Sequence, residues 1–221
     1  MKKIFYILSA AMLFFVSCSS PSPEEQAKKI MEEFTKKNLV KPDSYEFVDV
    51  KFDSCFFGSQ ISPEVFQFVI ELSQLYSDYN ELKDKAQIAE THLAIYAPSP
   101  YGYDSALDKL QRKKYQEELD KANMKKEDNK VKILQLYKDN TNLIKAFANG
   151  GEEFTGFYGI LQYRAETNGG DKRNNEALFF FDKNMTNVID AYNGDEFRDL
   201  SILEDINYEF AAELADIFSQ Q

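Results

Sequence analysis

ISPEVFQFVIELSQLYSDYNELKDKAQIAETHLAIY, residues 61–96, decides the fold. Ile61, Val65, Phe68, Leu72, Leu75, Tyr79, Leu82, Ala86, Ala89, Leu93 and Tyr96 follow one another at alternating steps of four and three, with no charged residue among them. A 3.5-residue repeat kept this long predicts a helix packed against another helix, as in a coiled coil. Ser62-Pro63-Glu64 supplies its start: serine caps, proline suits the first helical position, and an acid suits the positive end of the helix dipole. At 1.5 Å per residue the arm is on the order of 50 Å long, more than a small domain is wide.

Pro98-Ser99-Pro100-Tyr101-Gly102 breaks this helix. Asp104 or Ser105 can cap a second one that runs to about Ala148, before Asn149-Gly150-Gly151 stops it. A matching seam passes through Tyr115, Leu119, Ala122, Ile133, Leu136, Leu143 and Phe147, interrupted by Lys126, Asn129 and Asn140. The expectation is an antiparallel helical hairpin at about 62–148 that either packs along the rest of the chain or projects its tip. The seam also allows self-association, should it pair between chains.

On either side the period changes. Tyr45 to Phe52 alternates, with Val48, Val50 and Phe52 on one side and Asp49 and Lys51 on the other, as a half-buried strand requires. Phe157, Gly159, Leu161, Tyr163 and Ala165 alternate with Tyr158, Ile160, Gln162, Arg164 and Glu166, and further strands are expected at Glu176–Phe181 and Thr186–Ala191. Asn168-Gly169-Gly170 and Asp182-Lys183-Asn184 read as the turns of a meander. Ser22-Pro23-Glu24-Glu25 opens an amphipathic helix, with Ala27, Ile30, Met31 and Phe34 on one face, that ends near Lys36–Asn38. Ile202, Leu203, Ile206, Phe210, Leu214 and Ile217 form the stripe of a closing helix. The fold class is therefore α+β: a small antiparallel sheet covered by N- and C-terminal helices, with a long inserted antiparallel hairpin, all in one domain over 24–221.

At the N-terminus, Lys2 and Lys3 precede an unbroken apolar and small run from Ile4 to Val16, then Ser17 and Cys18. The run is too short to span a bilayer and reads as a secretory leader. Phe15-Val16-Ser17-Cys18 resembles the lipobox of bacterial lipoproteins. The resemblance implies a leader over 1–17, cleavage before Cys18, acylation of that cysteine and a Ser-Pro tether over 18–23. Lys41-Pro42-Asp43-Ser44-Tyr45-Glu46 and Tyr163-Arg164-Ala165-Glu166-Thr167-Asn168-Gly169-Gly170 are similar to segments of uncharacterised lipoproteins of Bacteroidetes-type bacteria. This resemblance implies a lipid-anchored location in the cell envelope, at the outer membrane, and brings no catalytic residue or cofactor.

Composition narrows the function. A net charge of −11 repels phosphate backbones, which argues against nucleic acid as a partner and against electrostatic adhesion to an anionic membrane. The lipid on Cys18 is left to do the anchoring. Cys18 and Cys55 are the only cysteines, so lipidation of the first leaves Cys55 unpaired, and its neighbours Phe56 and Phe57 favour burial.

Motifs for chemistry are weak. His92 is the only histidine and has no histidine or cysteine at helical metal spacing, and a Cys55–His92 nucleophilic pair is opposed by Asp53 and the aromatics beside the thiol. Asp182-Lys183-Asn184-Met185-Thr186 opens like a calcium loop, but Asn187 stands where glycine is needed and Asn193 where a bidentate acid is needed. Glu117 and Glu118 sit four residues from lysines, as on a solvated helix face. No catalytic, cofactor or metal site is assigned.

The leading expectation is a non-catalytic envelope module presenting the hairpin, or the tyrosine-rich tip of Tyr96, Tyr101 and Tyr103, to another envelope protein. The alternative is a ligand-binding or hydrolytic protein with a cleft between sheet and hairpin that uses Tyr163 and Arg164. Asp104-Ser105-Ala106 resembles the short O-glycosylation acceptor motif of Bacteroidetes-type envelope proteins, which makes Ser105 a candidate for modification as well as a helix cap.

Overall fold

A computed structural model describes residues 21–98, 104–151, 153–194 and 202–219. Its class is α+β. Helix α1, Pro23–Asn38, starts on a full capping box: Glu25 N–H donates to Ser22 Oγ at 3.2 Å, and Ser22 N–H donates to Glu25 Oε2 at 2.8 Å. A short 3₁₀ turn, Pro42–Ser44, leads into β1, Glu46–Phe56. The hairpin then intervenes as α2 (Pro63–Ile95), α3 (Ala106–Asp139) and α4 (Thr141–Ala148) before the chain returns in β2 (Phe154–Glu166), β3 (Lys172–Phe181) and β4 (Val188–Asn193). Helices α5 (Ile202–Glu209) and α6 (Ala211–Ser219) follow.

The four strands lie in the order β1-β2-β3-β4, all antiparallel. β1 and β2 are neighbours although the whole hairpin separates them in sequence, so the hairpin is an insertion between adjacent strands. Alternation sends Val50, Phe52, Leu161, Tyr163, Ala177, Phe179 and Phe181 to an inner face, where α1 covers them with Ala27 and Met31. Gly159 has a packing reason on this face. A Cβ there would stand 2.8 Å from the Phe52 ring and 3.0 Å from the Met31 side chain.

The strands differ from expectation in bounds and register: β1 runs on to Phe56, and β3 begins at Lys172 rather than Glu176. The register of β1 on β2 slips between Phe47 and Asp49, which makes Val48 a bulge. Phe47 therefore takes the inner face opposite Tyr163, with the Lys28 ammonium 3.6 Å over its ring, and Val48 is exposed. β4 begins at Val188 rather than Thr186 because Asp182 holds the turn longer. Its carboxylate accepts from Thr186 N–H, Thr186 Oγ1 and Asn187 Nδ2 at 2.8–2.9 Å, which also depresses its pKa. The segment that began like a calcium loop is a turn locked by its own aspartate.

The outer face of the sheet is half covered. Cys55, Leu178 and Phe180 are buried there beneath Phe66 from the first turn of α2, with Tyr158, Ile160 and Tyr192 around them. Cys55 is 2 % exposed and unpaired, and burial pushes its thiol pKa up. Gly58 links this face to the hairpin base. It sits at φ +74°, and a Cβ would meet Ala146 of α4 at 2.4 Å, so only glycine allows the approach.

The helical expectations also change in detail. The second arm breaks at Asn140, whose backbone leaves the helical region at φ −105°, ψ 21°. Its side-chain amide donates to Leu136 O at 2.9 Å, and Thr141 Oγ1 donates to Lys138 O at 2.7 Å, so local side chains draw on the carbonyls of this turn. The closing helix is bent at Phe210 into α5 and α6, although helical hydrogen bonds span the joint. Its stripe of Ile206, Phe210 and Leu214 packs on the hairpin with Val65, Phe68, Leu72, Tyr79 and Ile133. The sheet's helical covers are thus α1 inside and the start of α2 outside.

Candidate functional site: the projecting half of the hairpin

The heptad seam is filled within the chain. Every seam residue of α2 from Ile61 to Tyr96 is buried or half-buried, and α3 supplies the partner surface. The two halves of the hairpin have different surroundings. The cluster that joins the hairpin to α4, α5 and α6 extends along α2 to Tyr79 and begins along α3 at Ile133. Ion pairs close it: Lys83 donates to Glu209 at 2.8 Å and Lys130 to Glu213 at 2.6 Å, while Tyr79 Oη donates to Glu209 at 3.2 Å. The hydrogen bonds from these lysines hold both glutamates below the usual carboxylate range. Past this girdle the hairpin continues from about residue 84 to Ile95, about 18 Å at helical rise.

In that half the seam narrows to Ala86, Ala89 and, opposite, Ala122. Small side chains leave space between the backbones, which opens as a groove of about 340 Å³ lined by Leu82, Ile88, Ala89 and Ala122 and walled by Lys85, Lys121, Lys125 and Glu118. Lys85 is paired with Glu81, and Lys121 and Lys125 set two further cations against Glu118 along the walls. Ile88 is 58 % exposed and Ile95, one heptad further, 68 %. Leu107 and Leu110, in the first turns of α3, are also exposed.

The tip is braced. His92 stacks on Tyr115 at 4.4 Å between ring centroids with 7° between planes, and Tyr96 stacks on the same Tyr115 at 5.8 Å. Arg112 pairs with Asp104 and donates to the Tyr96 carbonyl at 3.1 Å. Tyr96 is therefore half-buried and engaged in holding the arms together. Tyr101 and Tyr103 lie outside the described residues, as does Cys18. Ser105 caps α3: Asp108 N–H donates to its Oγ at 3.0 Å, and that hydroxyl donates to Asp108 Oδ2 at 2.6 Å. The hydroxyl is exposed, but glycosylation would remove its donation within the cap.

Tyr163 and Arg164 both border one trough on the sheet, but their side chains do not converge in it. As neighbours on a strand their side chains point to opposite faces. Tyr163 is 8 % exposed beneath α1 and stacks on Tyr45 at 5.7 Å, whereas Arg164 lies on the outer face, where its Nε donates to Asn174 Oδ1 at 2.8 Å. The open end of that face is a polar trough of about 730 Å³ bordered by Val48, Gln162, Tyr163, Arg164, Asn174 and Glu176. No hairpin residue lines it, so this trough is not the cleft expected between sheet and hairpin. Cross-strand hydrogen bonds, Gln162 to Glu176 at 3.2 Å and Arg164 to Asn174, occupy its floor.

The Cys55–His92 pair is also separated, with the thiol under Phe66 on the sheet and the imidazole in the tip stack. Lys113–Glu117 and Lys114–Glu118 form the expected solvated ion pairs. Among the described residues no group of three or more His, Cys, Asp or Glu side chains is placed to hold a metal ion, and no helix is long and apolar enough to cross a membrane. Sequence reasoning missed the lysine-walled groove and the Lys83–Glu209 girdle. The run of alanines at seam positions was the available signal for the first. Comparison with protein-family models, curated proteins and solved structures found no match.

Proposed function

We propose that the protein is a non-catalytic, lipid-anchored envelope protein that presents the projecting half of its hairpin to another envelope protein. The carrying observation is the groove over Ala89 and Ala122, apolar along its floor and lysine-rich along its walls, on an arm extending beyond the core. Its chemistry fits an amphipathic helix with aliphatic residues on one face and acids flanking them. Cys18 provides the attachment and the Ser-Pro tether the spacing from the lipid surface.

Four measurements test this reading. Intact mass of protein purified from its native envelope should exceed the cleaved polypeptide by the acyl chains, and a bare polypeptide mass removes the anchor. Protease shaving of intact cells tells which side of the membrane the domain faces. Cross-linking in the native envelope should connect Lys85, Lys121 or Lys125 to an acidic helix of one partner, and the Lys121→Glu/Lys125→Glu variant should lose it. A hairpin-shortened variant that keeps every native partner would sink the proposal.

A further inference from the structure

At the base of the hairpin, where α2, α3 and α4 meet α5 and α6, lies a cavity of about 170 Å³. Phe68, Tyr137, Leu143, Phe147, Leu203 and Phe218 supply most of its wall. Phe68, Tyr137 and Leu143 are buried within the largest apolar cluster, while Ile144, Phe147, Leu203 and Phe218 are half-buried and Asn207 is exposed, so the cavity is rooted in the core and opens at the surface. Its polar contribution is small. Tyr137 Oη and Asn207 Oδ1 face each other at 3.4 Å, the long limit of a hydrogen bond, and burial pushes the Tyr137 pKa up to about 12.

A water molecule inside needs two to four polar partners, which this wall scarcely offers, and apolar cavities of roughly 150 Å³ take up benzene-sized molecules. Drug-sized pockets start at about 300 Å³, so a larger ligand does not fit. Four aromatic side chains in the wall favour a ring over an alkyl chain, because rings gain from edge-to-face contact. The loosely paired Tyr137 hydroxyl can turn to a single polar substituent.

We propose that this cavity binds a small neutral aromatic molecule, one ring in size, between the hairpin base and the C-terminal helices. Because its wall is shared by α2–α4 on one side and α5–α6 on the other, an occupant joins the two and fastens the C-terminal helices to the hairpin. The site lies at the opposite end of the hairpin from the lysine-walled groove and does not depend on the function proposed for that groove.

The test uses the full chain in detergent, with toluene and phenol as ring probes and n-hexane as a chain probe of similar bulk. Toluene should raise the thermal unfolding midpoint by mass action and slow amide exchange across residues 202–219. Ile144→Phe, which fills the cavity from a half-buried wall position, should abolish both effects. No toluene response in the wild type, an equal response in Ile144→Phe, or a response to n-hexane as large as to toluene would each overturn the proposal. Should Ile144→Phe lose its cooperative transition, methyl NMR of the wild type decides. Toluene-induced shifts at Leu143 and Leu203 support the cavity, and shifts confined elsewhere reject it.

Discussion

Between Val65 and Tyr79 the seam of α2 carries Val, Phe, Leu and Tyr side chains that pack on α3 and are enclosed by α4, α5 and α6, with Leu72 and Ile133 fully buried. Between Leu82 and Tyr96 the same heptad carries two alanines, meets Ala122 across the seam, and leaves Ile88 and Ile95 exposed. The spacing is continuous across both halves, so spacing alone pairs the helices and side-chain volume decides what else can pack there. Large seam residues recruit further elements into a core. Small ones leave a paired but uncovered arm, stiffened instead by ring stacking and an Arg–Asp pair at its end.

Substitutions can break this contrast in order of expected effect. Leu72→Ala, in the proximal seam, should cost about 2–5 kcal/mol in denaturant unfolding, because the dense surroundings relax only partly around the lost volume. A cost near that of an exposed alanine substitution would mean the proximal half is not the core. Ala122→Leu, in the distal seam, places a larger side chain at a buried seam position and should cost about 1–3 kcal/mol. It should also fill the groove and abolish partner binding while leaving the proximal cluster's near-UV signal intact. Unchanged partner binding would move the interaction away from the groove.

Ser105→Ala removes the cap of α3 and should cost about 1 kcal/mol, read as faster amide exchange confined to the hairpin tip. Faster exchange at the base would show the halves to be coupled. The smallest expected effect belongs to the girdle. Its ion pairs are partly exposed, and solvent screening leaves their contribution small. A carboxylate whose folded pKa is depressed stabilises above its unfolded value of about 4.3 and loses that contribution as pH falls through the folded value. Exchange across α5–α6 should therefore rise below about pH 4 while that of the sheet does not, and Glu209→Gln should bring the rise to neutral pH. A pH-independent profile in wild type would show that apolar contacts alone hold these helices.

Much of this architecture was legible in local chemistry. Ser22, Ser62 and Ser105 each cap the helix that their neighbours announced, because the cap interaction involves only residues three apart. The alternation of Gly159, Leu161, Tyr163 and Ala165 identified the inner face of β2 without knowledge of what covers it. Misreadings fell where a distant or competing contact set the outcome. Val48 was turned outward by a register slip against β2, the second arm was broken by the side chains of Asn140 and Thr141, and the closing stripe was assigned to the sheet when its aromatic partners, Tyr76 and Tyr79, stand on the hairpin. An amphipathic stripe specifies that a face is buried and says nothing of which surface buries it.

By itself, then, the sequence determined the periods, the caps, the turns and the α+β class, since each depends on side chains within a few residues of one another. Only the tertiary structure decided that the seam closes within the chain, that the C-terminal helices enclose its proximal half, and that Phe66 of the hairpin covers the outer face of the sheet. Those outcomes depend on the volumes of side chains that meet from far apart in the sequence, Ala89 with Ala122 and Tyr79 with Phe210 among them, and no local pattern carries that information.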